Sequence, residues 1–574
     1  MHKLLWSDVL PEGTILLGPI NGYNLFIEDG KRCEIRGTLS NTKMCKIEFS
    51  LGFTRVKSLS GDNYLKVSLY NSKDRNCGDL IVDFDSIQNL QKIAAKRSAF
   101  FKRLPWDNIE EAIGLIDVID LIIDFFPVEY MAESLGFSYS SDEPEYFAAA
   151  TITDLKNPET PVPAVDFARV KNSKTNHMDC VKFLSQKGVI EETVGLVNKV
   201  SKGKAAVQAI LSAAIACIIC GWLKLNSFTF CIAGKSSTGK TTMLRLAASF
   251  FSDPDDGIIN RRFSDTPKKL MEAISTKNGI MQTIDDTSSD VTAGGSMGKQ
   301  SENNLKQLVY YISGNRSRGK VNAADTEFHT GCMLTAEVSI VDKFAMHADG
   351  ARRRIVELYL DDYENHLTSD EKEAHEIEDV IKENYGHVAE KFVTDIARTY
   401  SINDLKAKYK EVRERLQDRL PNGGIAKGYG EVISVIVLAA ELSEYIGFNF
   451  DAADVSEYLI DEYIAESVRY KKNQVQAEMD FKRMYTHAYE ISQRIYPDLM
   501  EKCDGKYIYL ERNDMISIVS EQTPRCTISS FKNKLVELSL LIKQDGAHYE
   551  SQKNGRRIYE ILLDEQYIEQ ESEI

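Results

Sequence analysis

No stretch of this chain is low in complexity, and none reads as a secretory leader, because Trp6, Asp8 and Glu12 interrupt any apolar run at the start. The first absence excludes a disordered scaffold. The second points to a reducing cytoplasm, where the ten cysteines scattered from Cys33 to Cys526 stay as thiols. A zinc site lacks its ligands too: Cys217 and Cys220 form a C-x-x-C in an apolar helical run, with no second pair at zinc-finger spacing, and they read as packing thiols. Positive charge is also scarce. A formal net charge of −16 sets bulk repulsion against any nonspecific grip on a polyanion, so such a contact must rest on local basic groups. Much of the acidity is concentrated at 361–379 and in the final DEQYIEQESEI, both of which read as solvated surface.

What is present is an ordinary soluble composition, 43% hydrophobic and 27% charged, over 574 residues, a length that favours three or four domains. The run 205–223 is long enough to span a bilayer, but it is rich in alanine, carries Gln208 and Ser212, and leads directly into a strand. It reads as a core helix, and no membrane contact is expected.

Residues 1–150 form an N-terminal region, β-rich to about 95 on its turn signals at Gly30, Gly37, Gly61 and Gly78, then helical from Ile87 to Phe126. Residues 151–225 hold a linker, rich in Asp, Pro and Thr at 153–165, and a helical segment from about 179 to 223. An α/β core follows at 226–365. Its strands are expected at 227–233, 257–260, 279–284, 331–336 and 354–360, with helices at 241–251, 267–276 and 302–313. Residues 366–472 are helical by period, and 473–574 combine a long helix with a strand, two helices and a hairpin turning at Gly555, the order of a winged helix.

The chemistry concentrates in GKSSTGKT, residues 234–241, between a strand and a helix. Gly234 and Gly239 let the backbone turn its amides toward phosphates, with Lys235, Ser236, Ser237, Thr238 and Thr242 completing the loop. Lys240 should reach the β- and γ-phosphates of ATP, and the Thr241 hydroxyl should ligate Mg2+. Such a loop needs a carboxylate on a neighbouring strand, and IMQTIDD supplies Asp285 at a strand end, followed by Asp286 where a glutamate usually orients the attacking water. CMLTAE puts Thr335 and Glu337 at the end of the next strand, with Thr335 the better candidate for a γ-phosphate sensor. In GARRRIVELYL, Arg354 is the first candidate for an arginine finger and Arg353 the second, against a merely solvated basic cluster.

Two further groups of cations can offset the acidic whole. Arg316, Arg318 and Lys320 sit in a glycine-punctuated loop that could face a pore and track a phosphate backbone, or could simply be solvated. The last module carries Arg525, Lys532, Lys534, Lys553, Arg556 and Arg557, which suit a duplex gripped by a helix and a wing; winged helices also bind proteins.

Together GKSSTGKTTMLRLAASFF, the IDD strand end, YYISGNRSRGK, LTAE and RRIVEL resemble the phage and plasmid-type AAA+ domain of MCM-like, self-loading replicative helicases of staphylococcal mobile elements. The resemblance runs from about 200 to 450 and, in domain order, to the C-terminus. It implies an AAA+ P-loop core with a helical lid, a mainly β N-terminal region and a C-terminal winged helix. It further implies a hexameric ring of identical subunits that encircles single-stranded DNA, hydrolyses ATP between subunits, unwinds duplex 3′ to 5′ and starts replication of a mobile element, with the winged helix on origin duplex. By position Lys240 and Thr241 match Walker A, Asp285 Walker B, Thr335 the first sensor, Arg354 the finger and Lys320 the pore loop. The chain departs from the pattern at Asp286, lacks a second sensor and has no helix insertion before Asp285.

Overall fold

Five parallel strands form the central sheet of the computed structural model. They are β12 (Phe228–Gly234), β13 (Asn260–Arg262), β15 (Gln282–Asp285), β16 (Gly331–Ala336) and β17 (Ile355–Leu360), in the order β13-β15-β16-β12-β17. Every residue of β12 and β16 is buried, as the covered strands of a parallel sheet must be. The first edge strand is shorter and later than the expected 257–260, because three residues are all that reach β15 in register, Asn260 opposite Thr283.

The structure describes, up to residue 163, the strands 15–20, 23–28, 32–42, 45–58, 63–71 and 76–83 and the segments 127–131, 135–138, 146–148, 151–159 and 162–163. It then describes 184–568 except 256, 288–295, 317–326, 342–351, 361–366, 369, 422, 523–527, 544–548 and 554. The expected helix 87–126 lies outside these residues.

Six N-terminal strands, β1 (Ile15–Ile20), β2 (Tyr23–Glu28), β3 (Arg32–Thr42), β4 (Cys45–Ser58), β5 (Asn63–Asn71) and β6 (Asn76–Asp83), run as an antiparallel meander, with β7 (Val128–Met131) parallel to β4. A second sheet joins β8 (Leu135–Ser138), β9 (Tyr146–Ala148), β10 (Thr151–Asp154) and β11 (Val162–Pro163) to β14 (Lys277–Asn278), inside the α/β core. The expected linker at 153–165 is therefore partly strand. Within it Thr153 and Asp154 pair with Phe147 and Tyr146 of β9, and Val162 and Pro163 form the edge strand opposite Ile152 and Thr151.

The expected helix 179–223 is two helices. Residues 184–189 are not helical, α1 is Ile190–Val200 and α2 is Ala205–Leu223. By length and composition α2 could cross a membrane, but it is apolar all round because protein covers 94% of its apolar window. Helix α3 (Lys240–Ser249) follows β12, and α4 (Pro267–Ser275) is capped by Thr266 with Pro267 in the first turn. Helix α5 (Ser296–Ser313) precedes β16.

Five helices come after the sheet: α6 (Glu371–Glu383), α7 (Val388–Thr399), α8 (Ile402–Gln417), α9 (Gly424–Leu442) and α10 (Ala452–Ile495). One continuous core takes in Phe137, α2, the sheet and these helices as far as Tyr463. Two compact units result, one of Met1–Ile340 with Asp349–Tyr463 and the other of Val341–Ala348 with Ile464–Ile574. The boundaries expected near 150, 225 and 365 thus fall inside the first unit. The one expected at 472 falls within α10, 44 residues without a glycine or proline to break them until Pro497.

In the second unit α11 (Pro497–Lys502), β18 (Tyr507–Leu510), α12 (Arg512–Gln522), α13 (Ile528–Glu537), β19 (Glu550–Lys553) and β20 (Arg556–Leu562) follow in chain order. The sheet order is β18-β20-β19, and Phe481, Tyr485 and Ile491 of α10 share its core with Phe531, Leu535 and Ile561.

Candidate functional site

The loop 234–239 leaves the C-terminal end of β12 and enters α3 at Lys240. Two glycines hold backbone that other residues resist: φ is +147° at Gly234 and +85° at Gly239. A Cβ on Gly234 would stand 2.5 Å from the Leu360 carbonyl, and one on Gly239 would stand 2.9 Å from Thr368 Oγ1. Thr238 is buried and its carbonyl accepts the Leu367 N–H at 3.0 Å, while Lys235, Ser236, Ser237 and Thr241 are exposed and Thr242 is half-buried.

Lys240 is 8% exposed, and its Nζ donates to the Gly234 carbonyl at 2.9 Å and the Lys235 carbonyl at 2.6 Å. Burial holds its pKa below the ordinary lysine value, against the field of Glu337 first and then of Asp285. Thr241 Oγ1 donates to Asp285 Oδ1 at 3.2 Å, and Thr335 Oγ1 donates to the same oxygen at 2.5 Å. Asp286 takes a left-handed φ of +57°, and its N–H donates to Thr335 Oγ1 at 2.9 Å. Ser236 Oγ donates to Glu337 Oε1 at 2.5 Å.

Strand β16 lies between β12 and β15, so the ends of three adjacent parallel strands deliver Lys240, Asp285, Thr335 and Glu337 to one edge of the sheet. That edge is where open α/β sheets bind ligands. Among the described residues no three His, Cys, Asp or Glu side chains group as a self-sufficient metal site. One hydroxyl and one carboxylate in contact suit magnesium, which keeps waters and takes its other ligands from phosphates.

The arginines stand elsewhere. Arg354 precedes β17, and its carbonyl accepts the Thr229 N–H at the start of β12, so it lies at the opposite edge of the sheet from the loop. A six-residue strand is about 20 Å long. The Arg354 guanidinium sits 4.7 Å over the Tyr310 ring, with its pKa lowered by burial and by Arg353, which is exposed.

Arg316 is exposed and its backbone forms an isolated antiparallel bridge with Glu327, whereas Arg318 and Lys320 lie outside the described residues, as does Arg525. In the second unit Lys532 points inward, 4.4 Å over the Tyr559 ring and 3.2 Å from the hydroxyl oxygen that accepts its bond. Lys534 pairs with Glu537 at 2.9 Å, Lys553 with Glu560 at 3.1 Å and Arg556 with Glu511 at 3.2 Å. Arg557 is exposed on β20. Cys217 and Cys220 are buried free thiols whose pKa values burial raises.

Sequence reasoning missed the Ser236–Glu337 contact and the seat of Thr368 against Gly239. It also missed Arg245, which ties α3 to α6 through Glu378 at 2.9 Å and reaches Asp255 at 2.6 Å. The lone Arg245 inside TTMLRLAA was the available signal for the last.

The family described as a domain of unknown function, DUF927, matches residues 166–327, from before β12 to beyond Asp285. No curated protein matches the sequence. Among solved structures the chain is similar to one titled "SCCmec type IV Cch - active helicase", with 16% identity over 96% of this chain and 98% of that one, at a TM-score of 0.54. A structure of the NrS-1 C-terminal region overlays 89% of this chain and 97% of its own at 10% identity, with a TM-score of 0.27. The first likeness is one of fold across nearly the whole chain.

Proposed function

We propose that this chain is an ATP-driven DNA helicase and replication initiator of a mobile genetic element, working in the cytoplasm as a homo-oligomeric ring, a hexamer moving 3′ to 5′. The observation that carries the proposal is the convergence of Lys240, Thr241, Asp285 and Thr335 on one edge of the parallel sheet, in a chain whose fold is similar to that of an active helicase. In this reading 226–365 is an AAA+ core, 366–472 its lid and 473–574 a winged-helix module.

Residues Gly234 to Thr242 offer main-chain N–H groups and a helix N-terminus to the phosphates of ATP. Lys240 exchanges its two carbonyl partners for phosphate oxygens, a stronger charged pairing. Thr241 and Asp285 hold Mg2+, which when bound offsets charge on the phosphates. Thr335 keeps Asp285 oriented and senses the terminal phosphate. Arg354, a strand's length from its own loop and stacked on Tyr310, serves a neighbouring subunit's nucleotide, and Arg316, Arg318 and Lys320 line the pore. Unwinding of a forked duplex that is abolished by Lys240→Ala supports the motor; DNA binding and assembly without unwinding in the unaltered chain overturn it.

One observation favours a second reading for the last module alone. Lys532, Lys534, Lys553 and Arg556 are engaged within their own unit, which suits a protein-binding winged helix better than a duplex clamp.

A further inference from the structure

A P-loop ATPase needs a carboxylate that orients the attacking water beside the terminal phosphate, and the position after Asp285 is where one is looked for. Here that position is Asp286, one methylene shorter than glutamate. Its N–H donates to Thr335 Oγ1 at 2.9 Å and to Asp285 Oδ1 at 3.1 Å, and its φ of +57° turns the chain out of the strand at that residue. Glu337, by contrast, follows β16, the strand next to β12, and its carboxylate accepts a hydrogen bond from Ser236 within the phosphate loop itself.

We infer that Glu337, and not Asp286, is the carboxylate that orients and deprotonates the water. The inference rests on the ATPase reading above. The geometry of the site agrees with it. The Ser236 contact puts the carboxylate at the rim of the loop, next to the groups that meet phosphate, on a longer side chain than Asp286 has. Asp285 is already committed to Thr241 and Thr335.

The step balances simply. The water oxygen bonds to the terminal phosphorus as the bond from that phosphorus to its bridging oxygen breaks. The electron pair of that bond leaves on ADP, and the water's proton passes to the Glu337 carboxylate and then to solvent.

The test compares the full chain with Glu337→Gln, Glu337→Asp and Asp286→Asn, in the presence of magnesium and single-stranded DNA. Steady-state ATP hydrolysis is read against the affinity for a fluorescent ADP analogue. Glu337→Gln should lower kcat at least about a hundredfold, the scale of a lost general base, while nucleotide affinity stays within about threefold or tightens. Glu337→Asp should recover part of that loss, and Asp286→Asn should lose less than about tenfold. Glu337→Gln turning over like the unaltered chain, or Asp286→Asn suffering the larger loss with affinity intact, overturns the assignment. Equal loss of affinity and kcat in Glu337→Gln makes the residue a loop prop and overturns it as well. An unaltered chain that binds no nucleotide defeats the ATPase reading itself.

Discussion

Lys240 in the first unit is buried and Lys532 in the second half-buried, burial lowers the pKa of both, and they are held in opposite ways. Lys240 rests on two main-chain carbonyls of a turning loop, with exposed Lys235, Ser236 and Ser237 around it. Lys532 lies on the faces of Tyr559 and Tyr549 and donates to the Tyr559 hydroxyl, whose own proton goes to Glu550. Neutral carbonyls surrender an ammonium to a phosphate readily, because the phosphate oxygen adds a full opposite charge that the carbonyl lacks. Aromatic faces and a carboxylate behind them hold it in the packing, where a cation–π contact is worth about 0.5–2 kcal/mol. In the proposed reading the same residue type is thus a ligand-binding group in one place and a piece of architecture in the other.

The largest expected effect breaks the first half of the contrast. Lys240→Ala should cut ATP hydrolysis by about a thousandfold or more and weaken ADP binding, with little change in thermal stability, because the side chain supports no packing that the carbonyls cannot replace with water. Calorimetric titration with ADP and a melting curve separate the two. Gly239→Ala should follow, since alanine at φ +85° costs roughly 1–2 kcal/mol and its Cβ would press on Thr368 Oγ1 at 2.9 Å. Its melting point should fall together with its nucleotide affinity, and a variant that keeps both would show the loop to be looser than its backbone angles require.

The loop, β12, α3 and Asp285 were legible because the GKSSTGKT pattern fixes residue types over a few consecutive positions, and the flanking periods identify strand and helix. What stayed hidden depends on chain returning from far away. Ser236 meets Glu337 across 101 residues, and no local pattern encodes that pairing. Thr153 and Asp154 read as linker because of the aspartate, proline and threonine around them, while their strand character depends on β9 lying alongside. The basic residues of the last module were visible as charges, but not as charges already engaged by Glu537, Glu560, Glu511 and two tyrosines.

Arg245 tests the first unit in another direction, since its guanidinium joins α3 to α6 and to Asp255 without touching the loop. Arg245→Ala should cost about 2 kcal/mol at pH 7, judged as lost charged hydrogen bonds, one of them to a half-exposed partner. The Arg245 guanidinium holds Asp255 below its ordinary carboxylate pKa. A depressed carboxylate stabilises the fold above its unfolded value and loses that contribution as pH falls through the folded one. Denaturation midpoints of variant and parent should therefore converge as the pH drops below about 4. A gap unchanged down to pH 2 would remove the Asp255 pair from the account.

The smallest effects probe the second half of the contrast by setting Arg557 against Lys532. Arg557 is exposed on β20, opposite Gln552, whereas Lys532 is built into the core side of α13. If the module grips DNA, Arg557→Ala should weaken binding of duplex a few-fold and lower the slope of affinity against salt by about one, with no change in melting point. Lys532→Ala should do the reverse, lowering the melting point of the second unit by the loss of about 1 kcal/mol of ring contact while leaving the salt slope alone. Equal salt slopes in both variants and parent would mean that neither lysine nor arginine meets phosphate, and the paired charges around them would then mark a surface made for a protein.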